Sequence, residues 1–150
     1  KLSFSEMRDI DRSLSATGIQ AAYEMSFQLK EKGVFPDKIL SSNGIRALHT
    51  AIIFAHQIGF DTQKMTVVSD LYLAAPGVIL QALSKLTDNV NTVFLFAHNP
   101  GIEEFTAFVD KEKYVNIPAC TVIEMDSNVN YWKSIGFDNL AIASISSPNN

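Results

Sequence analysis

Residues 91–101 read NTVFLFAHNPG and contain the clearest strand pattern in the chain. The apolar run continues almost unbroken to Ala97, which predicts a strand buried on both faces, as in a parallel sheet. Asn99, Pro100 and Gly101 are typical of a turn followed by the start of a helix. His98 is therefore expected on a loop at the carboxyl end of a strand, where open α/β sheets bind their ligands.

The flanking sequence alternates between helical and extended patterns. Apolar residues at helical spacing predict four helices, over residues 16–32, 44–58, 76–86 and 101–110. Ser15 and Asn43 are the predicted N-caps of the first two helices. Shorter apolar runs predict additional strands at 38–41 and 66–68, and a hairpin formed by 119–126 and 140–146. We therefore predict a three-layer α/β/α fold with a central, mainly parallel sheet. No strand precedes the first helix, although this arrangement requires one.

Composition narrows the class of protein. The chain has 150 residues, of which 47% are hydrophobic and 19% charged, which predicts one globular domain over residues 1–150. The net charge of −4 argues against binding to nucleic acid or to an acidic membrane surface. No apolar run is long enough to cross a bilayer, so a cytoplasmic protein is expected. An anionic ligand would have to be bound by a local cluster of cations.

Familiar cofactor and metal motifs are absent from the sequence. There is one cysteine, Cys120, so neither an intrachain disulfide nor a cysteine-based zinc site can form. The sequence contains no HExxH, no GxGxxG and no GxxxxGK followed by Ser or Thr. We expect no metal and no cofactor.

A second segment, residues 41–51 with the sequence SSNGIRALHTA, follows the predicted strand 38–41. It places Arg46 at the start of a helix and at the same sheet edge as His98. An arginine fork and an imidazole form a plausible pair for binding and processing a phosphoryl group. Arg12 could add a second cation. The alternative is that Arg46 is a surface residue and His98 a structural histidine bonded to the backbone.

Three motifs in order resemble the histidine phosphatase superfamily, and more narrowly the SixA-like phosphohistidine phosphatases. That branch typically shows D-R-P-L-[ST]-x-x-G, S-S-P-x-x-R-A-x-Q-T-A and H-N-P-G. Here the matching segments are residues 11–18, 41–51 and 98–101, which read DRSLSATG, SSNGIRALHTA and HNPG. This sequence departs from the pattern at Ser13, Asn43 and His49, which stand where the branch has Pro, Pro and Gln.

The resemblance implies a phosphoglycerate-mutase-like fold and a metal-independent reaction through a covalent phosphohistidine. The nucleophile in this family is the histidine of an Arg-His motif at the end of the first strand. That motif would end just before Lys1, with Lys1–Phe4 continuing it. By the same resemblance Arg46 and His98 bind the phosphoryl oxygens and act as catalytic residues, and Arg12 lines the pocket as a substrate-binding residue.

The resemblance therefore implies a phosphatase acting on a phosphorylated protein, with protein phosphohistidine as the expected substrate. Two alternatives stay open: a non-catalytic relative that binds phosphate or a phosphoprotein, and a phosphomonoesterase of the same fold acting on small molecules. Some relatives use an acidic proton donor from an inserted lid. The corresponding stretch here, residues 70–76, is short and offers no assignable acid.

Overall fold

The computed structural model describes residues 9–113 and 116–148. Within these residues the chain forms four α-helices, namely α1 (Ala16–Glu31), α2 (Ile45–Ile58), α3 (Pro76–Ser84) and α4 (Gly101–Val109). Five strands accompany them: β1 (Lys38–Ser41), β2 (Thr66–Val67), β3 (Val93–Phe96), β4 (Val122–Ser127) and β5 (Leu140–Ser146). The predicted elements are thus confirmed in order and type, with ends that differ by up to three residues.

The first three strands form a parallel sheet in the order β2-β1-β3. Ile39 lies opposite Phe94, and Ser41 lies opposite both Phe96 and Val67. The predicted hairpin is also confirmed, because β4 and β5 pair antiparallel with an irregularity between Glu124 and Met125. The parallel sheet brings the carboxyl ends of β1, β2 and β3 to one edge.

Helices cover both faces of the parallel sheet, as the alternating pattern predicts. On one face, Phe94 and Phe96 pack against a core that joins α1 to α2, whose buried residues are Ala22, Met25, Leu29, Ile53 and Phe54. On the other face, Leu40 and Leu95 pack against the core under α3 and α4, together with Leu71, Ala74, Ile79 and Phe105. Neighbouring strand residues point to opposite faces, so β1 and β3 are shared by both cores. The three-layer α/β/α prediction is confirmed.

Two local predictions are wrong. Asn43 does not cap α2, because Gly44 is the N-cap residue and makes no side-chain capping bond. Ser15 does cap α1, accepting a hydrogen bond from Gly18 N. The side chains of β3 are half-buried rather than fully buried. Within the described residues β3 pairs only with β1, so its other edge has no ladder partner to cover it.

Ahead of α1 the described chain begins with a short 3₁₀ turn, Asp9–Asp11. The predicted continuation of the family motif, residues 1–4, lies outside the described residues. Among the helices in the described part of the chain, none is both long and apolar enough to cross a membrane.

Candidate anion-binding site

The candidate site is built from segments that leave the carboxyl edge of the parallel sheet. Arg46 lies in the first turn of α2, directly after β1. His98 lies two residues beyond the end of β3. Tyr72 lies in the segment between β2 and α3, after a 3₁₀ turn, Ser69–Leu71. The order β2-β1-β3 therefore brings three side chains from distant parts of the sequence to the same edge.

The carboxylate of Asp9 lies at the centre of this cluster. Its Oδ1 accepts hydrogen bonds from Arg46 Nη2 at 2.8 Å and from Arg12 Nη1 at 3.0 Å. Its Oδ2 accepts a hydrogen bond from the Tyr72 hydroxyl. Charge-assisted hydrogen bonds of this kind are stronger than neutral ones. The turn before α1 is thereby fixed to α2 and to the segment after β2.

Three neighbours fix the ring of His98. Ser42 Oγ lies 2.8 Å from His98 Nε2, and the Tyr72 ring meets the imidazole edge-to-face with centroids 5.1 Å apart. A Cβ at Gly44 would lie 2.8 Å from His98 Cε1, so the absence of a side chain at Gly44 is what permits the close approach. The ring is thus oriented before any ligand arrives.

The hydrogen bonds of Ser42 favour one tautomer of His98. Ser42 Oγ accepts a hydrogen bond from Gly44 N at 2.9 Å, and the residue is fully buried. Since a buried hydroxyl needs an acceptor, its proton is directed to His98 Nε2. A neutral ring then carries its own proton on Nδ1. Burial, aided by the positive charge of Arg46, lowers the pKa of His98 below its ordinary value of 6.5.

The pKa values of Asp9 and Tyr72 are shifted in opposite directions. The hydrogen bond from Tyr72 lowers the pKa of Asp9, and Arg46 and Arg12 add to this against an opposing effect of desolvation. The same hydrogen bond to Asp9 raises the pKa of Tyr72. At neutral pH Asp9 is therefore a carboxylate and Tyr72 is a protonated hydroxyl donor.

The turn after β3 is held by its own contacts. A Cβ at Gly101 would lie 2.0 Å from the Ala74 carbonyl oxygen, so only glycine lets α4 pack this closely on the segment that carries Tyr72. Asn99 Nδ2 donates a hydrogen bond to Ile117 O at 2.9 Å, and the Asn99–Pro100 peptide bond is cis. Residues 98–101, which form the motif HNPG, thus fix the position of His98 and also pack against the segment that carries Tyr72.

The structure brings together all three residues that the sequence singles out. Arg46 and Arg12 share Asp9, and His98 lies against Tyr72, the third partner of that carboxylate. His49 is half-buried on α2 and His56 is exposed. In the described part of the chain, no group of three or more His, Cys, Asp or Glu residues could hold a metal ion.

Sequence reasoning missed Asp9, Ser42 and Tyr72. Ser42 stands at the carboxyl end of β1, so its position in the sequence could have indicated it. Tyr72 follows β2 by several residues, and Asp9 lies in a polar turn that resembles an ordinary solvated loop. The cluster as a whole presents two guanidinium groups, a tyrosine hydroxyl and an imidazole to an anion.

Two curated proteins are similar to this chain in sequence. One is an uncharacterized chloroplast protein of Arabidopsis thaliana, 26% identical over 135 residues that cover 85% of this chain and 62% of the relative. The other is an uncharacterized protein of Mycobacterium tuberculosis, 33% identical over 92 residues that cover 61% of this chain and 55% of the relative. The chain thus spans less than two thirds of the length of either relative. No protein-family model matches it.

Solved structures match over nearly the whole chain. A protein assigned as the phosphohistidine phosphatase SixA of Agrobacterium tumefaciens has a TM-score of 0.81 at 21% identity, covering 99% of this chain and 92% of its own. The protein histidine phosphatase SixA complexed with tungstate also has a TM-score of 0.81, at 19% identity, and the match covers 97% of this chain and 90% of the SixA chain. Mycobacterial glucosyl-3-phosphoglycerate phosphatase has a TM-score of 0.59 at 16% identity, and the match covers 89% of this chain and 87% of the phosphatase chain.

These likenesses define the class by its fold. The chain has the phosphoglycerate-mutase-like fold that these phosphatases share. Within that fold it is most similar, among the three, to the two SixA structures. The resemblance to the SixA-like branch, predicted from the order of the three motifs, is confirmed at the level of the fold.

Proposed function

We propose that this protein is a phosphatase of the SixA-like kind, acting as a single histidine-phosphatase-like domain over residues 1–150. The observation that carries the proposal is that Arg46 and Arg12 bind one anionic group, the Asp9 carboxylate, at the carboxyl edge of the sheet, beside Tyr72, whose ring packs on His98. This is the edge at which open α/β sheets bind ligands. The fold shared with known phosphatases supports the same conclusion.

In the proposed reaction a histidine attacks phosphorus and the bond to the leaving group breaks, giving a phosphohistidine that water then hydrolyses. The resemblance assigns the nucleophile to an Arg-His motif ahead of Lys1. Arg46 and Arg12 would bind the equatorial phosphoryl oxygens through N–H donors. His98, oriented by Ser42, would stabilise the group in transfer. Such preorganised donors act where charge develops in the transition state.

The expected substrate is a phosphohistidine on a protein. Its leaving group is an imidazole, which departs with little help from an acid. The site agrees with such a substrate, because the pKa of Asp9 is lowered and this carboxylate is poorly suited to donate a proton. A metabolite phosphomonoester has a poorer leaving group and would need a proton donor that is still protonated at neutral pH.

The reaction should require no metal, because the arginines supply the positive charge that Mg²⁺ supplies at other phosphoryl-transfer sites. Activity on a phosphohistidine peptide should survive exhaustive treatment with EDTA and should be inhibited by tungstate. A panel of phosphohistidine peptide, phosphoserine peptide and sugar phosphates would rank the substrates. Activity that is lost in EDTA and returns with Mg²⁺ or Zn²⁺ would contradict the mechanism.

A second candidate is a non-catalytic domain that binds phosphate or a phosphoprotein. The observation in its favour is that Arg46 and Arg12 already bind a carboxylate, Asp9, by side-chain hydrogen bonds alone, which is all that binding of a phosphoryl group without its transfer requires. The two functions separate on one measurement. A phosphatase forms an acid-labile phosphoenzyme during turnover, whereas a binding domain retains the phosphorylated ligand unchanged. We also propose a cytoplasmic location, which fractionation of cells would test.

A further inference from the structure

The candidate site already contains an anion that belongs to the protein itself. Both oxygens of Asp9 are bound, Oδ1 by Arg46 Nη2 and Arg12 Nη1, and Oδ2 by the Tyr72 hydroxyl. Two of these three donors are the arginines that the proposed function assigns to the phosphoryl group. The third, Tyr72, has no role in that proposal.

A carboxylate and a phosphoryl group use the same donors. Both present oxygens that accept charge-assisted hydrogen bonds from guanidinium N–H groups. The carboxylate offers two oxygens and one negative charge, whereas a phosphoryl group offers three oxygens and up to two charges. Asp9 occupies one Nη group of each arginine, and a second anion brought close to it is disfavoured because like charges disfavour one another's ionised forms. A phosphoryl group on Arg46 and Arg12 is therefore bound more tightly once Asp9 has moved away from them.

We propose that Tyr72 is a further phosphate-binding residue, and that Asp9 occupies the phosphoryl position on Tyr72, Arg46 and Arg12 until the ligand exchanges with it. This inference rests on the proposed function, because the ligand is the phosphoryl group of that function. The exchange swaps one set of hydrogen bonds for another and needs no covalent step.

The surroundings of the two residues suit this exchange. The Asp9 side chain is 41% exposed and lies in a three-residue 3₁₀ turn with no buried residue, so it can turn into solvent without opening the core. Tyr72 is fixed more firmly, because its ring packs on His98 and it directly follows the fully buried Leu71. The hydrogen bond to Asp9 raises the pKa of Tyr72, so an anion at this position holds the hydroxyl protonated and as a donor.

Calorimetric titration with inorganic phosphate, and separately with tungstate, at constant ionic strength tests the exchange. Asp9→Asn removes the competing charge with little change in shape and should tighten binding at least about fivefold. Asp11→Asn is the matched control, because it removes the same charge from the same turn. The tightening should be absent or much smaller in that variant.

Tyr72 is best tested in the Asp9→Asn background, where it no longer binds the carboxylate. There Tyr72→Phe should weaken phosphate binding about tenfold, the size expected for one hydrogen bond to a charged group. Tyr23→Phe, which removes a hydroxyl from an exposed tyrosine on α1, is the control. Circular dichroism would verify that each variant is folded.

Failure of this inference and failure of the proposed function give different results. The exchange is wrong if phosphate binding depends on Arg46 but is no tighter in Asp9→Asn. It is also wrong if Tyr72→Phe does not weaken that binding. In either case the phosphatase proposal still stands. If neither phosphate nor tungstate binds the wild-type protein or the Asp9→Asn variant, both the exchange and the phosphatase proposal are wrong.

Discussion

The two ends of helix α2 differ sharply in their surroundings. In the first turn the Arg46 side chain is 37% exposed and forms an ion pair with Asp9 at 2.8 Å. Two turns later Phe54 is 3% exposed and meets Phe96 edge-to-face with centroids 5.1 Å apart. One helix therefore joins the candidate site to the core. Substitutions at its two ends should separate loss of stability from loss of activity.

Phe54→Ala should cause the largest loss of stability. It empties a well-packed position between α1, α2 and β3, and such truncations cost about 3–5 kcal/mol. Urea denaturation would measure the free energy of unfolding. Ile52→Ala, at a position 38% exposed on the same helix, is the control and should cost much less. Activity per folded molecule should stay close to that of the wild type. If Phe54→Ala abolished turnover in fully folded protein, the two ends of the helix would not be separable.

Arg46→Ala should show the opposite behaviour. Loss of one preorganised donor to the transferring group commonly costs about a hundredfold or more in rate, so kcat/KM on a phosphohistidine peptide should fall by at least that factor. The midpoint of thermal unfolding should change little, because an ion pair this exposed contributes little to stability. His98→Ala is expected to lose activity to a similar extent. Near-normal turnover in either variant would remove that residue from the mechanism.

Ser42→Ala should produce a smaller loss of activity. Without the hydroxyl, His98 Nε2 loses its partner at 2.8 Å and the ring loses its fixed orientation. We expect roughly a tenfold loss in kcat, the size of one hydrogen bond, with a shift of the pH profile on its acidic side. Ser41→Ala is the matched control, because that buried hydroxyl donates only to Ser42 O. If Ser41→Ala lowered kcat and shifted the pH profile as much as Ser42→Ala, the hydrogen bond to His98 Nε2 would not be the reason for the loss.

The smallest expected effect is on the pH dependence of stability. The pKa of His98 is lower in the folded protein than its ordinary value of 6.5, chiefly through burial. Its contribution to stability is therefore complete above pH 6.5 and is lost as the pH falls through the folded-state pKa. The difference in unfolding free energy between the wild type and His98→Asn should fall as the pH drops below 6.5. A constant difference would mean that His98 is not desolvated.

Predictions from the sequence are correct where a feature depends on contacts between residues near in the chain, and less accurate where it depends on residues that are far apart. Ser15 caps α1 as predicted, because its side chain bonds the backbone only three residues away. Asn43 was wrongly predicted as a cap, because the neighbouring Ser42 hydroxyl accepts from Gly44 N and α2 begins one residue later. The burial of β3 was overestimated, since burial depends on which strands flank it in space.

Three features could be predicted from the amino-acid sequence alone: the alternation of helices and strands, the three-layer arrangement, and the sheet edge that carries Arg46 and His98. Each of these follows from periodicity over a few residues and from the rule that parallel strands share their carboxyl edge. Two other features depend on the folded chain: the hydrogen bond between Tyr72 and Asp9, which are 63 positions apart in the sequence, and the close packing of Gly101 against the Ala74 carbonyl. Such contacts depend on how separately formed elements pack, and no local pattern encodes that distance.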